Sequence, residues 1–304
     1  MRIGLALAIL YVILASMLAF MQRSLIYFPS RASRIEAADA GMIEGRVHTV
    51  ALETDDGLQL RGWHILPAGV TAHSPAECDQ QFDRGGPVVI YFSGNGGNRA
   101  YRTLDFELLS RLGCHVLVFD YRGYGDNPGS PSEERLAVDA HAVWRYATQT
   151  RGISADRLIL LGESLGGGVA IRLAADLSEA GTPPGGLVLR ATFSSLVDAA
   201  AYHYPWLPVR LVMVDRFPSI GRIPQVTCPI LHIHGSQDQI VPIQLGRKLH
   251  AAARETSSTG IAKRFVELPQ AGHNDILLVA EDEFSQAVGE FLERIADMRG
   301  ARES

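Results

Sequence analysis

The feature that most constrains the fold is a strand, a tight turn and a helix written in consecutive residues at 158–170. Residues 158–161 are Leu-Ile-Leu-Leu, which is typical of a buried strand, and Gly-Glu-Ser-Leu-Gly follows at 162–166. A serine on such a turn stands above the sheet on a strained backbone, and only glycine fits at the crowded flanking positions. The same five residues would also suit a phosphate-binding loop, but the strand before and the helix after favour an exposed nucleophile.

Short apolar runs alternate with helical patterns along most of the chain. Runs typical of strands buried on both faces lie at 88–92, 116–120, 158–161, 187–189, 230–234 and 265–268. Helical patterns lie between and after them, at 101–112, 133–148, 165–177, 243–253 and 279–295. The alternation predicts an α/β fold, with a mostly parallel central sheet and helices on both faces. Strands at 47–53 and 58–66 add an antiparallel hairpin at one edge, and 68–86 is predicted to be a surface loop.

Three side chains with complementary chemistry follow three of the predicted strands. Ser164 follows the strand at 158–161, Asp238 follows 230–234, and His273 follows 265–268. Function collects at the carboxyl ends of parallel strands, so these residues are expected to meet. An unassisted hydroxyl is a weak nucleophile at neutral pH. His273 would take the serine proton and return it to the leaving group, while Asp238 would orient the imidazole and stabilise its charged form.

The loop after the strand at 88–92 reads Ser-Gly-Asn-Gly-Gly-Asn at 93–98. Nucleophilic attack on a carbonyl needs two donors for the developing oxyanion, and we assign the backbone N–H groups of Leu165 and Asn95. A nucleotide-binding loop is the rival interpretation of these glycines. It fails because Arg99 stands where the dinucleotide fingerprint needs its third glycine, and no Gly-Lys-Ser/Thr motif occurs.

Four motifs together resemble the α/β-hydrolases: Asp-Tyr-Arg-Gly-Tyr-Gly at 120–125, Gly-Glu-Ser-Leu-Gly-Gly at 162–167, His-Gly-Ser-Gln-Asp-Gln-Ile-Val-Pro at 234–242 and Gly-His-Asn-Asp at 272–275. The chain is most similar to the small-lidded, membrane-anchored serine hydrolases that include depalmitoylating thioesterases. The resemblance implies the α/β-hydrolase fold, the Ser164, Asp238 and His273 triad, and a short lid at 192–227. Ser93 departs from the family, which often has His at that position.

The N-terminus has 19 uncharged residues at 3–21, enough for a helix of about 28 Å that can cross a bilayer once. A cleaved signal peptide is the competing interpretation. The run exceeds its usual apolar core of about 7–15 residues, and 15–19 offers no clear cleavage site, so an uncleaved anchor is favoured. Arg23, Arg31 and Arg34 slightly favour a cytoplasmic domain but leave the side of the membrane open. The predicted organisation is an anchor at 1–23, a linker at 24–45 and a hydrolase domain at 46–298.

Composition excludes several other classes. The formal net charge of -5, without a basic stripe, argues against a nucleic-acid partner. Cys78, Cys114 and Cys228 are too few and too scattered for a zinc site or a disulfide framework. We therefore predict a cofactor-free, metal-free enzyme that cleaves an ester or thioester of an acyl or lipid-like substrate near a membrane. A serine peptidase of the same fold and a non-catalytic membrane-anchored scaffold are the alternatives. The acyl length and the oligomeric state stay open.

Overall fold

Eight strands form one sheet at the centre of the molecule. The structure is a computed structural model that describes residues 2–303 of the chain, so Met1 of the predicted anchor lies outside the described residues. The strands are β1 (Val47–Glu53), β2 (Gln59–Ile65), β3 (Val88–Phe92), β4 (His115–Phe119), β5 (Leu158–Glu163), β6 (Gly186–Arg190), β7 (Ile230–Gly235) and β8 (Arg264–Leu268). Each lies within one or two residues of its predicted bounds.

The sheet order is β1-β2-β4-β3-β5-β6-β7-β8. The pairs β1·β2 and β2·β4 are antiparallel, and every other pair in this sheet is parallel. β5 lies between β3 and β6, with Gly162 paired to Phe92 on one side and Leu189 on the other. The end of β5 therefore brings the residue after Glu163 to the middle of the carboxyl edge.

Helices cover both faces of the sheet. They are α1 (Arg2–Ile26), α2 (Pro75–Gln80), α3 (Thr103–Arg111), α4 (Glu133–Arg145), α5 (Leu165–Glu179), α6 (Leu196–His203), α7 (Val209–Val212), α8 (Ser219–Arg222), α9 (Ile243–Ala252), α10 (Ile276–Val279) and α11 (Glu281–Glu303). Alternate residues of each central strand point to opposite faces, so Val88 and Ile90 pack with α4, α5 and α9, whereas Val89 and Tyr91 pack with α3 and α11. This two-layered core confirms the predicted α/β architecture.

The region predicted as a loop at 68–86 contains helical structure, so that prediction was wrong for its second half. α2 begins after Ser74, whose hydroxyl accepts a hydrogen bond from the Glu77 N–H, and Pro75 occupies its first turn. A 3₁₀ turn at Gln81–Arg84 follows. Cys78 and Phe82 of this segment are buried, so apolar burial outweighs the polar, turn-rich composition.

The segment predicted as a linker at 24–45 packs against the domain instead of spanning open space. α1 continues to Ile26, and the two-residue strand Phe28–Pro29 pairs in parallel with Gly96–Gly97 of the loop after β3. Tyr27, Ile35 and Met42 are buried. The N-terminal helix is thereby fixed in position next to the loop after β3.

α1 contains an apolar span at Ile3–Ile26, and most of it is exposed within the chain. It is long enough to cross a membrane, and a signal sequence near the N-terminus would have the same character. It contacts the segment 192–227, which lies between β6 and β7 and contains α6, α7 and α8, through Tyr11, Gln22 and Arg23.

Candidate active site

Ser164 occupies the sharp turn between β5 and α5. Its backbone has φ 52° and ψ -113°, a strained conformation for a residue with a side chain. Neighbouring glycines permit this turn, because a Cβ on Gly162 would lie 2.5 Å from the Gly166 oxygen and one on Gly166 would lie 2.0 Å from the Phe92 oxygen. The hydroxyl of Thr192 donates to the Ser164 carbonyl at 2.7 Å and helps to hold the turn.

The structure brings Ser164, His273 and Asp238 together from three separate loops. His273 Nε2 lies 3.0 Å from Ser164 Oγ, and His273 Nδ1 lies 2.7 Å from Asp238 Oδ2. An ionised carboxylate only accepts hydrogen bonds, so the imidazole proton belongs on Nδ1 and Nε2 is left to accept from the serine hydroxyl. This arrangement can move a proton from Ser164 to His273.

The carboxylate of Asp238 is fixed by a ring of donors. Its Oδ1 accepts from the backbone N–H groups of Ile240 at 2.9 Å and Val241 at 2.7 Å. His234 Nε2 lies 2.8 Å from the Val241 oxygen and 3.3 Å from Asp238 Oδ2. Burial alone would raise the pKa of Asp238, but the hydrogen bonds from His234 and His273 outweigh it and hold this pKa well below its usual range. Asp238 therefore stays ionised beside His273.

Leu165 and Asn95, the predicted oxyanion donors, line the same cavity as Ser164. Leu165 is the first residue of α5, where a helix leaves its N–H groups without intrahelical partners. Asn95 is held from two sides: its carbonyl accepts from Phe28 N–H at 2.9 Å and Tyr124 Oη at 2.8 Å. The loop after β3 thus has a fixed position relative to the helix start.

A buried charge cluster supports the turn from below. The Glu163 carboxylate accepts from Arg102 Nε at 2.6 Å and Tyr91 Oη at 3.0 Å, and it lies 3.3 Å from Arg190 Nη2. The Gly94 N–H also reaches it at 3.4 Å. Burial opposes ionisation, but the charges of Arg190 and Arg102 dominate and lower the pKa of Glu163 to about 2. The residue before Ser164 is thereby linked to the loop that contains Asn95.

The motif at 120–125 builds a second buried network beside the same loop. Asp120 accepts from the backbone N–H of Arg99 at 2.7 Å and from its guanidinium at 2.6 Å, and this guanidinium also contacts Asp126 at 2.7 Å. Arg99 is fully buried. Gly125 has φ +56°, and a Cβ there would lie 2.3 Å from Asp120 Oδ2, so this position requires glycine. The network positions the loop that leads into α3.

Two cavities of different polarity meet at Ser164. The more polar one, of about 480 Å³, includes in its lining the side chains of Ser30, Tyr101, Arg102, Glu163, His273 and Asn274. The other, of about 630 Å³, is lined mainly by apolar side chains of α1, α6 and α7. Asn95, Ser164 and Ile240 line both. A substrate attacked by Ser164 would have one polar and one apolar part.

Within residues 2–303, no group of three or more His, Cys, Asp or Glu side chains could hold a metal ion. Cys78, Cys114 and Cys228 are all buried and unpaired in disulfides.

The chain is similar to known proteins in both sequence and fold. A sequence profile described as alpha/beta hydrolase fold matches residues 87–212. Lysophosphatidylserine lipase ABHD12 of Danio rerio is 31% identical over 275 residues, which cover 84% of this chain and 71% of that protein. The chain belongs to the α/β-hydrolase family. The uncharacterized protein Rv2307c of Mycobacterium tuberculosis is 41% identical to this hydrolase over 275 residues, covering 90% and 88% of the two chains.

Solved structures show the same fold at lower identity. The Pyrococcus furiosus esterase Pf2001 superposes with a TM-score of 0.64 and 20% identity, covering 88% of this hydrolase and 98% of that chain. The esterase EaEST of Exiguobacterium antarcticum gives a TM-score of 0.56 and 17% identity, covering 80% and 99%. The predictions of an α/β-hydrolase fold and of a hydrolase enzyme are confirmed.

Sequence reasoning about this hydrolase missed two residues near Ser164. The sequence alone gives no role to His234, which lies four residues before Asp238 at the end of β7 and contacts its carboxylate. It also gives no role to Glu163. Its position in the serine motif could have signalled a role, but its partners Arg102 and Arg190 are distant in sequence and no local pattern predicts them.

Proposed function

We propose that this hydrolase is a serine esterase or thioesterase that cleaves the acyl bond of a lipid-like substrate. The observation that supports this function is the position of the Ser164 hydroxyl, 3.0 Å from His273 Nε2 at the junction of an apolar and a polar cavity. Acyl transfer requires a base within hydrogen-bond reach of a serine that a substrate can reach, and Ser164 lines both cavities.

In the acylation step, Ser164 Oγ attacks the substrate carbonyl carbon while its proton passes to His273 Nε2. The carbonyl π electrons move to the oxygen, and the N–H groups of Leu165 and Asn95 stabilise the oxyanion. Asp238 stabilises the imidazolium through Nδ1. As the tetrahedral intermediate collapses, the bond to the leaving oxygen or sulfur breaks, and His273 gives its proton to the departing alcohol or thiol.

In the deacylation step, water replaces the leaving group. His273 Nε2 takes a proton from this water, and the hydroxide oxygen attacks the carbonyl carbon of the acyl-Ser164 ester. Collapse of the second tetrahedral intermediate breaks the bond to Ser164 Oγ, which recovers its proton from His273. The products are a carboxylic acid and the free enzyme.

The two cavities support a substrate with one acyl chain and a polar leaving group. The apolar cavity would take the chain, and the polar cavity, with Tyr101, Arg102 and Asn274, would take the alcohol or thiol part. The Danio rerio relative is named a lysophosphatidylserine lipase, and a lysophospholipid has one acyl chain and a polar headgroup. We therefore propose a single-chain lipid ester as the substrate class, with an acyl thioester as the second type to be tested.

We further propose that α1 is an uncleaved membrane anchor and that 46–298 is the hydrolase domain, with 192–227 as its lid. The contacts of α1 support retention of the helix: Arg23 Nε and Tyr27 Oη donate to Asp215 at 3.1 Å and 2.9 Å. Cleavage after the apolar span would remove this helix and leave the buried Asp215 without Arg23.

Labelling by a fluorophosphonate tests the nucleophile. The detergent-solubilised wild type and Ser130→Ala should be labelled, because Ser130 is exposed and lies outside both cavities. Ser164→Ala should not be labelled. A wild type that unfolds cooperatively but takes no label, or a Ser164→Ala protein that is labelled as fast, would overturn the assignment. Hydrolysis of matched p-nitrophenyl esters and acyl-thioesters then decides between the two bond types.

A further inference from the structure

One face of α1 forms a wall of the apolar cavity that contains Ser164. The wall includes Leu14, Ala15, Leu18, Ala19, Gln22 and Ile26. Their spacing of three, four and one residues places them on one stripe of a helix. Most other residues of α1 are exposed. The same helix therefore has a lipid-compatible outer surface and an inner stripe that faces the candidate active site.

Polar contacts fix this stripe against the opposite wall. Gln22 Oε1 accepts from the Val214 N–H at 2.7 Å, and Arg23 and Tyr27 both donate to Asp215. Asp215 is buried. These bonds hold α1 at a set rotation, so the residues facing the cavity are defined and are not interchangeable with those facing outward.

The opposite wall has its own exposed apolar side next to α1. Tyr202, Tyr204 and Trp206 are each more than half exposed, at 62%, 51% and 54%, and Leu211 is 85% exposed. Tyrosine and tryptophan favour the boundary between lipid and water. Tyr11 of α1 donates to the Trp206 carbonyl at 2.8 Å. This surface is continuous with the exposed face of α1, which points to a lipid bilayer as what covers both.

We infer that α1 determines acyl-chain specificity as well as anchoring the enzyme, with the substrate chain lying along its inner stripe between α1 and the α6–α7 wall. This inference rests on the proposed function. The reactive end is near Ile26, since Asn95 Nδ2 donates to the Ile26 carbonyl at 2.9 Å and Asn95 lines the cavity with Ser164. The far end is at Leu14.

The length of the inner stripe determines the length of the acyl chain that fits in the apolar cavity. The twelve-residue step from Leu14 to Ile26 spans about 18 Å along a helix. An extended hydrocarbon chain with C–C bonds of about 1.5 Å advances about 1.3 Å per carbon, so the cavity suits an acyl chain of about 14 carbons. Such a chain passes from the bilayer to Ser164 along an apolar path, while its polar end reaches the other cavity.

The test compares two matched substitutions on α1. Ala19→Phe places a ring in the stripe, whereas Ala8→Phe places the same ring on the exposed side, outside both cavities. With p-nitrophenyl myristate and butyrate in detergent micelles, we expect Ala19→Phe to lower kcat/KM for the myristate by about tenfold or more and to change the butyrate by less than about twofold. Ala8→Phe should change neither ester by more than about twofold.

The other outcomes overturn the inference, and they can be distinguished from failure of the proposed function. Equal effects of Ala19→Phe on both esters, or none on either, would show that α1 does not select the chain although Ser164 is still labelled by a fluorophosphonate. A wild type that is labelled but has a higher kcat/KM for the butyrate than for the myristate would also show that α1 does not select the chain. Absence of both labelling and hydrolysis would instead overturn the proposed function and this inference with it. If Ala19→Phe does not fold, Leu18→Ala should shift the preferred chain to longer esters, and an unchanged profile would refute the inference.

Discussion

Replacing Glu163 by glutamine tests whether the buried charge cluster holds the candidate site in place. The glutamine keeps the shape of the side chain but removes its charge. Arg102 and Arg190 would then lose the carboxylate that they share, although Arg190 keeps its ion pair with Asp105. Removing one partner of a buried ion pair is costly because the remaining charge cannot be solvated, and the usual loss is about 3–5 kcal/mol.

The depressed pKa gives a second estimate of the magnitude. Lowering the pKa of Glu163 from its ordinary 4.5 to about 2 corresponds to about 3 kcal/mol of folding free energy at neutral pH, at about 1.4 kcal/mol per pH unit. Because the pKa is lower in the folded state, this stabilisation is complete above about pH 4.5 and is lost as the pH falls toward about 2. At neutral pH, the loss should lower Tm by roughly 6–12 °C.

Urea unfolding of wild type and Glu163→Gln between pH 7 and pH 4 measures this loss. The difference in free energy of unfolding between wild type and Glu163→Gln should be constant in the upper part of this pH range. It should begin to narrow below about pH 4.5. Glu134→Gln is the matched control, because it removes an exposed carboxylate that contacts Arg172 at 2.7 Å and should cost less than about 1 kcal/mol. Equal losses in the two variants, or a gap that does not change with pH, would refute the role given to Glu163.

Three further substitutions separate catalysis from stability. Asp238→Asn should lower kcat by about 10⁴-fold in a folded protein, since Asn cannot hold the His273 tautomer; ester hydrolysis within about tenfold of wild type would contradict this role. Gly246→Ala should cost about 1–3 kcal/mol in urea unfolding, because its Cβ would lie 2.4 Å from His234 Nδ1, and an unchanged midpoint would show that His234 is not held there. A Cβ on Gly289 would have only Leu112 within 4 Å, at 3.7 Å. Gly289→Ala should therefore raise the free energy of unfolding by about 0.5–1 kcal/mol. A decrease in the same measurement would contradict the open space at this position.

Local pattern predicted the sheet well because its strands are buried on both faces. β3 at Val88–Phe92 and the start of β5 at Leu158 are short apolar runs, and burial alone specifies such strands. Where the burial of a segment depends on residues distant in the sequence, the local sequence pattern did not predict it. The segment at 24–45 contains a proline followed by small and charged residues, yet Tyr27 is buried and donates to Asp215, which is 188 residues away in the chain. Nothing in the local sequence indicates that contact.

The candidate site divides in the same way. Ser164 could be predicted because its turn requires a local strand, glycines and a helix. Asp238 and His273 could be predicted because each lies on the loop after a strand. Glu163 could not be assigned its partners, since Arg102 and Arg190 come from different elements and meet only in the folded chain. A motif predicts which residues stand at a position, whereas the fold decides what surrounds them.

The turn that contains Ser164 packs closely against the sheet, so its conformation depends on the fold of the core. A Cβ on Gly166 would overlap the Phe92 oxygen at 2.0 Å, and one on Gly167 would overlap Thr192 Oγ1 at 2.3 Å. The first turn of α5 is therefore pressed against the carboxyl ends of β3 and β6. That same closeness brings the Leu165 N–H beside the loop after β3. The glycines of the turn cannot be replaced without disturbing the sheet. The Ser164 hydroxyl and the His273 imidazole contact each other, and either side chain can be changed while these glycines stay in place. Loss of activity with retained folding is therefore informative at Ser164 and His273 but not at the glycines beside them.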